Sequence, residues 1–228
     1  MEPLQLREKE IFTTLRKIKG VKFVVIGGYA VNAYTLPRFS VDCDIVLKAT
    51  TDLQKLEKKL AELGYSRLGR NVADTPYHGE FVRFEKEISI GFKVSLDFLI
   101  KNVYDRGTSA VFSAEWVFHN SGKRRLKGKT VRDELMVDVI KPDALFVMKM
   151  VSCRAADIRD LFMLVAGIKD KLWIKQEVSE RCDFDGQLSR IRQKIVSRQF
   201  KDGLQGVFGF IDKRLFDKHK NLIFKLGE

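Results

Sequence analysis

Clustered histidines, paired cysteines and long apolar runs are all missing from this sequence. Its three cysteines, Cys43, Cys153 and Cys182, lie far apart with no CxxC pair, and only three histidines accompany them. This scarcity argues against both a disulfide framework and a zinc site. No uninterrupted apolar stretch reaches the length needed to cross a bilayer, and the opening MEPLQLREKEIF carries no signal-peptide apolar core. A cytoplasmic protein with no membrane partner is expected. Acids are in deficit: 30 Asp and Glu face 42 Lys and Arg, a net charge of +12. Neither a Walker A loop nor a GxGxxG fingerprint occurs. No internal repeat or low-complexity linker divides the chain.

What is present is a globular composition. Of 228 residues, 45% are apolar and 11% aromatic, enough to bury a sizeable core in one large domain or two small ones. The positive charge is unevenly placed. Residues 122–132 (GKRRLKGKTVR) hold six basic residues and no acid, and residues 186–228 hold ten basic against four acidic. A lysine-rich surface serving solubility is one reading and an anionic partner the other. Both basic stretches lie outside the acid-bearing strand described next, which tilts the balance toward nucleic acid.

The chain turns on VVIGGYAVNAYTLPRFSVDCDIVL, residues 24–47. The apolar run of Val21 and Phe23 to Ile26 predicts a buried strand over residues 21–26, Gly27-Gly28 a turn, residues 29–34 a short helix and residues 41–47 a second strand. Before it, Leu4, Ile11, Leu15 and Ile18 mark an amphipathic helix. After it, Thr51 is the expected cap of a helix with Leu53, Leu56, Leu60 and Leu63 on one face and Gly64 as its stop. A polar loop over residues 66–80 precedes strands at 81–85 and 91–100, with a turn at 86–89. Residues 108–118 read as helical, and residues 124–131 as a basic hairpin leading to a strand at 135–140. Pro142 opens a long helix to about residue 168, and the remainder is helical, interrupted near 183–186 and at Gly203, Gly206 and Gly209. The shift from mixed strands to helices at Pro142 sets the expected boundary: residues 1–141 as a core and 142–228 as a helical domain.

Three motifs carry chemistry. In Asp42-Cys43-Asp44, strand alternation puts both carboxylates on one face and Cys43 on the other, with the two Cα atoms roughly 6.5–7 Å apart. Such a pair can grip one or two Mg²⁺ ions, two metals being able to stabilise both the attacking and the leaving oxygen of a phosphoryl displacement, or can be a solvated strand end. Gly27-Gly28 could let backbone N–H groups approach phosphates, or could be a tight turn needing positive φ. Asp97, the lone charge in VSLDFLI, is costly in a buried strand unless it meets a cation; that cation is either a metal or a side chain such as Arg83 or Lys93. Farther on, Arg154, Asp157 and Asp160 recur at helical spacing after Lys149, a pattern that also fits a helix-surface salt-bridge ladder. His78, His119, Trp116 and the C-terminal phenylalanines fit packing or surface roles, and Tyr77-His78 could line an acceptor site.

Gly27-Gly28-Tyr29-Ala30, then Arg38-x-Ser40-x-Asp42-Cys43-Asp44, Asp97, and Lys149-x4-Arg154-x2-Asp157-x2-Asp160 after Pro142 resemble, as a set, the polymerase-β-like nucleotidyltransferase superfamily. Within it they look most like the AbiEii-type, toxin-associated branch, over about residues 20–168. The resemblance implies an α+β fold: a mixed sheet flanked by helices, followed by a helical C-terminal region. It implies that Asp42, Asp44 and Asp97 are catalytic and hold Mg²⁺ or Mn²⁺. Gly27, Gly28, Arg38, Ser40, Lys149, Arg154, Asp157 and Asp160 would bind the NTP substrate. Tyr29 stands where many members have serine, and Cys43 where an aliphatic residue is usual; neither change removes a metal ligand. The activity implied is transfer of a nucleotide from an NTP to an acceptor, with RNA (tRNA ends in particular) favoured by the basic stretches, and with a cognate antitoxin as a further partner. The alternatives are a protein-AMPylating or antibiotic-modifying enzyme, or a non-catalytic nucleic-acid-binding member of the fold.

Overall fold

The computed structural model describes residues 3–68, 80–132 and 135–228. They form two compact units, one of Met1–Ala33 with Pro37–Ile140 and one of Tyr34–Leu36 with Lys141–Glu228. The class is α+β, as expected, with a mixed sheet in the first unit and helices in the second.

The first unit runs α1 (Pro3–Ile18), β1 (Val24–Val25), α2 (Gly27–Asn32), β2 (Asp42–Leu47), α3 (Thr50–Glu62), β3 (Ser66–Arg67), β4 (Glu80–Ser89), β5 (Phe92–Ile100), β6 (Asn102–Tyr104), β7 (Val111–Ser113), α4 (Ala114–His119), β8 (Ser121–Leu126) and β9 (Leu135–Ile140). Seven strands make one sheet in the order β3-β4-β5-β2-β1-β9-β8, and β6 with β7 makes a small second one. Strand β5 pairs parallel with β2 and antiparallel with β4, and Val94 to Ile100 are buried on both faces, which explains their nearly unbroken apolar run. Ile11, Leu15 and Ile18 of α1 and Leu53, Leu56 and Leu60 of α3 are buried at helical spacing. The second unit is α5 (Pro142–Ser152), α6 (Ala155–Leu164), a 3₁₀ turn (Val165–Gly167), α7 (Lys171–Ser179), α8 (Phe184–Ile195), α9 (Arg198–Phe208) and α10 (Lys213–Phe224). Among the described residues no helix is long and apolar enough to cross a membrane.

Several boundaries move. The strand expected over residues 21–26 shrinks to Val24–Val25, and Gly27-Gly28 form the first turn of α2 instead of preceding it. Thr51 lies inside α3, whose N-cap is Ala49 without a side-chain bond; the neighbouring Thr50 hydroxyl is taken up by the Glu80 carboxylate at 3.0 Å. Strand β4 continues through residues 86–89, and the turn falls later, at Gly91 with φ of +70°. Lys86 of β4 pairs with Glu10 of α1 at 2.9 Å, and Lys93 pairs across the strands with Glu85 at 3.2 Å. Residues 108–118 divide into β7 and α4, with the Ser113 hydroxyl accepting from the Trp116 N–H. The basic hairpin begins earlier, its strands being β8 and β9 paired from Ser121–Ile140 to Leu126–Leu135. The long helix after Pro142 breaks at Cys153, whose backbone is left-handed (φ 44°). Gly203 and Gly206 lie within α9, and Ser197 caps that helix from outside. Tyr77 and His78 lie outside the described residues.

One acid in α1 was not singled out by its spacing, yet it anchors the basic segment. Glu8 falls on the same stripe as Leu4, Ile11, Leu15 and Ile18 and is 1% exposed. Its carboxylate accepts from the backbone N–H groups of Lys129 (2.6 Å), Thr130 (2.7 Å) and Val131 (2.9 Å) and from the Thr130 hydroxyl (2.6 Å). A Cβ on Gly128 would meet that carboxylate at 2.7 Å, so glycine lets the chain close over it. Charge-assisted bonds of this kind are the strong ones, and losing them takes the acceptor from three backbone N–H groups at once. Glu8→Ala is expected to lower the unfolding free energy by about 3 kcal/mol in urea denaturation. A loss below about 1 kcal/mol would contradict the anchoring role.

Candidate active site

Sheet register assembles the acids. In the parallel pair β2–β5, Asp44 lies beside Asp97 and Asp42 beside Ser95; across the antiparallel pair β4–β5, Arg83 lies opposite Asp97. Paired residues, and residues two apart on a strand, share a face, so Asp42, Asp44, Asp97 and Arg83 project together. Cys43 projects the other way and is fully buried, and that burial pushes its thiol well above the ordinary range. It is a packing residue.

Arg83 answers which cation meets Asp97. Its Nε and Nη2 donate to the two Asp97 oxygens at 2.7 and 2.6 Å, a bidentate fork, and Nη2 also reaches Asp42 Oδ2 at 3.5 Å. The other candidate, Lys93, pairs with Glu85 instead. The Asp97 side chain is 1% exposed and that of Asp42 33%, so the cluster opens to solvent on the Asp42 side. Burial pushes the Asp97 carboxyl above its ordinary value and neighbouring Asp42 adds to this, while the Arg83 guanidinium pulls it back. Among the described residues no group of three or more His, Cys, Asp or Glu is disposed to hold a metal ion. The three acids share a face, but Asp97 has both oxygens on Arg83.

Gly27 and Gly28 have a packing reason that their spacing did not reveal. A Cβ on Gly27, whose φ is +63°, would collide with the Asp44 carboxylate. One on Gly28 would collide with the Ser40 hydroxyl and meet Arg38 Nη2 at 3.3 Å. The glycine pair therefore lets the acid strand and the Arg38–Ser40 segment close directly onto α2. Asn32, fully buried in α2, fixes that segment from the other side: its amide donates to the Arg38 carbonyl (2.7 Å) and its oxygen accepts from the Arg38 N–H (3.0 Å). A buried amide in an otherwise apolar short helix is the signal that could have marked Asn32.

The second unit gathers Lys149, Asp157 and Asp160. Lys149 Nζ lies 2.7 Å from Asp157 Oδ1 and 3.0 Å from Asp160 Oδ2, with side-chain exposures of 14%, 6% and 1%. Asp157 Oδ2 accepts from the Ser152 hydroxyl (2.7 Å) and the Arg154 N–H (3.1 Å). Lys149, Asp157 and Asp160 thus form a buried ion cluster and not a helix-surface ladder, made possible by the left-handed turn at Cys153 that folds α6 back on α5. Arg154 stands exposed at the N-cap of α6.

No protein-family model matches the chain, and no curated protein matches it in sequence. Among solved structures it is similar to an antigenic nucleotidyltransferase-like protein from Paracoccidioides brasiliensis, at 13% identity over 90% of this chain and 92% of that one, with a TM-score of 0.52. It also aligns with JHP933 from Helicobacter pylori (16% identity, 100% of this chain and 90% of that one, TM-score 0.48). A further alignment is with the lincomycin-bound lincosamide antibiotic adenylyltransferase LnuA (19% identity, 68% and 94%, TM-score 0.47). The first likeness establishes the fold, that of a nucleotidyltransferase-like protein.

Three substitutions test this geometry. Gly27→Ala and Gly91→Ala both impose positive φ on alanine, but only the first collides with a neighbour; Gly91 has nothing within 4 Å. Gly91→Ala should cost about 1 kcal/mol and Gly27→Ala at least about 2 kcal/mol more in chemical denaturation, equal costs counting against the close approach to Asp44. Lys149→Met strands two buried carboxylates and should cost about 3 kcal/mol by the same measurement, whereas a surface ladder would lose less than about 1 kcal/mol.

Proposed function

We propose that this protein is a metal-dependent nucleotidyltransferase that moves a nucleotide from an NTP to an RNA acceptor. The observation that carries the reading is the juxtaposition of Asp42, Asp44 and Asp97 on one sheet face with the glycine pair closed against Asp44 and Ser40. Hard carboxylate oxygens of this kind suit Mg²⁺ or Mn²⁺. Asp42 and Asp44 are the residues that would hold the cation, and the fold likeness to a nucleotidyltransferase-like protein supports the assignment. Bound there, the metal would supply charge neutralisation at the transferring phosphoryl group.

The chain's own residues do the rest. Arg38 and Ser40, fixed by Asn32 and by the close approach of Gly28, form a preset wall beside the acids to orient the triphosphate. Gly27 and Gly28 serve by leaving that wall room to close. Lys149, Asp157 and Asp160 already pair with one another, which supports a structural role for them in the second unit, with Arg154 as the helix start that Asp157 caps.

RNA as acceptor is supported by the basic segment of the first unit. Lys129, held in place through Glu8, lies with Nζ 5.4 Å from the Phe39 ring centroid, and Phe39 stands between Arg38 and Ser40. Arg124, Arg125 and Lys127 are exposed on the same hairpin and could follow a phosphate backbone. A toxin-like role with tRNA ends as acceptor rests on the resemblance of the motif set to the AbiEii-type branch.

Incubation with each α-labelled NTP, Mg²⁺ and bulk tRNA should label the RNA, and Asp42→Asn should reduce labelling by at least about a hundredfold. Protein lysate and a lincosamide in parallel reactions identify a different acceptor. Equal labelling by the Asp42→Asn protein would remove Asp42 from the mechanism.

A further inference from the structure

Resting on that reading, we infer that the site is built for a single divalent cation, held by Asp42 and Asp44. Asp97 is not a metal ligand but the anchor of Arg83, whose guanidinium stands as a permanent positive charge where a second cation would have to bind.

The geometry makes the two occupants mutually exclusive. Arg83 Nη2 lies 2.6 Å from Asp97 and 3.5 Å from Asp42, so one nitrogen already bridges these two carboxylates. A cation shared by Asp42 and Asp97 would need the same space. Its nearest oxygens would also have to be released by Arg83, which takes both of those on Asp97. Departure of the arginine is costly, because it would leave a carboxylate of 1% exposure without a partner. The Arg83 side chain is itself only 18% exposed, and it lies across from Asp97 in strand register, so the pairing is fixed by the sheet and not by a mobile loop.

Arg83 brings a fixed positive charge to Asp42 and Asp97 together. Arginine suits this task because its planar fork matches a carboxylate and keeps its proton at any working pH. Arg83 is thus a positioning residue. It locks Asp97, and through Nη2 it sets the Asp42 oxygen that faces it, leaving the other Asp42 oxygen for the metal.

Mn²⁺ alone, titrated into the full-length protein and counted by electron paramagnetic resonance of the free ion, tests this without relying on turnover. The wild type should bind one ion per chain and Asp44→Asn should lose it. The double substitution Arg83→Gln with Asp97→Asn removes both partners together and so avoids an unpaired buried charge; it should keep one ion with affinity within about threefold of wild type. Arg83→Gln alone, with a third carboxylate unneutralised, should bind Mn²⁺ at least about tenfold more tightly or take up a second ion. Two ions per wild-type chain, loss of binding in the double variant comparable with Asp44→Asn, or an unchanged Arg83→Gln would each overturn the inference. The nucleotidyltransferase reading survives those results if RNA labelling still depends on Asp42. Absence of Mn²⁺ binding by the wild type would overturn both.

Discussion

Like charges on one face of a buried sheet have to be neutralised, and the first unit is arranged around that requirement. Strand pairing puts Asp44 beside Asp97 and Asp42 two residues along the same face. In water these carboxylates would repel weakly, but in a sheet where Asp97 is fully buried the repulsion and the lost hydration are both large. Arg83 resolves part of it from the neighbouring strand. Asp42 lies at the more open edge, its side chain 33% exposed, and on the proposed function that edge is where the cation and the triphosphate bind.

The surroundings are shaped to keep that arrangement rigid. The glycine pair lets α2 press against Asp44 and Ser40, Asn32 ties down the backbone at Arg38, and Glu8 gathers the basic segment through three backbone N–H groups. Each device uses a buried polar group with its partners supplied, which is how a polar network can rigidify a core without destabilising it. On the proposed function, preset groups of this kind would need little reorganisation as charge develops during phosphoryl transfer.

Much of this was legible in the sequence because it follows short-range rules. Strand alternation placed Asp42 and Asp44 on one face and turned Cys43 inward, and the isolated charge at Asp97 signalled a need for a cation. Arg83 and Lys93 both qualified as its partner, since the choice between them depends on the β4–β5 register, which rests on where the turn falls. That turn was placed too early because Lys86 and Glu87 look like loop residues until their cross-strand position is known. The role of the glycines was hidden for a similar reason: their missing Cβ atoms make room for Asp44 and Ser40, contacts that exist only once the strand folds beside α2. The burial of Lys149, Asp157 and Asp160 is hidden because a single left-handed residue, Cys153, breaks a pattern that periodicity reads as one continuous helix. Glu8 and Asn32 were passed over although each is a polar residue in an apolar register, the one local cue that such a residue is buried and paired.

On the proposed reading, Asp42 and Asp44 form the metal and triphosphate site while Arg83 remains on Asp97. The most direct measurement is a crystal structure with Mn²⁺ and a non-hydrolysable NTP, with the metal located by its anomalous scattering. The account requires a single Mn²⁺ peak touching Asp42 and Asp44, the triphosphate against Arg38 and Ser40, and the Arg83–Asp97 fork intact. Mn²⁺ bound by Asp97 with Arg83 displaced, or a nucleotide bound away from this face, would contradict it.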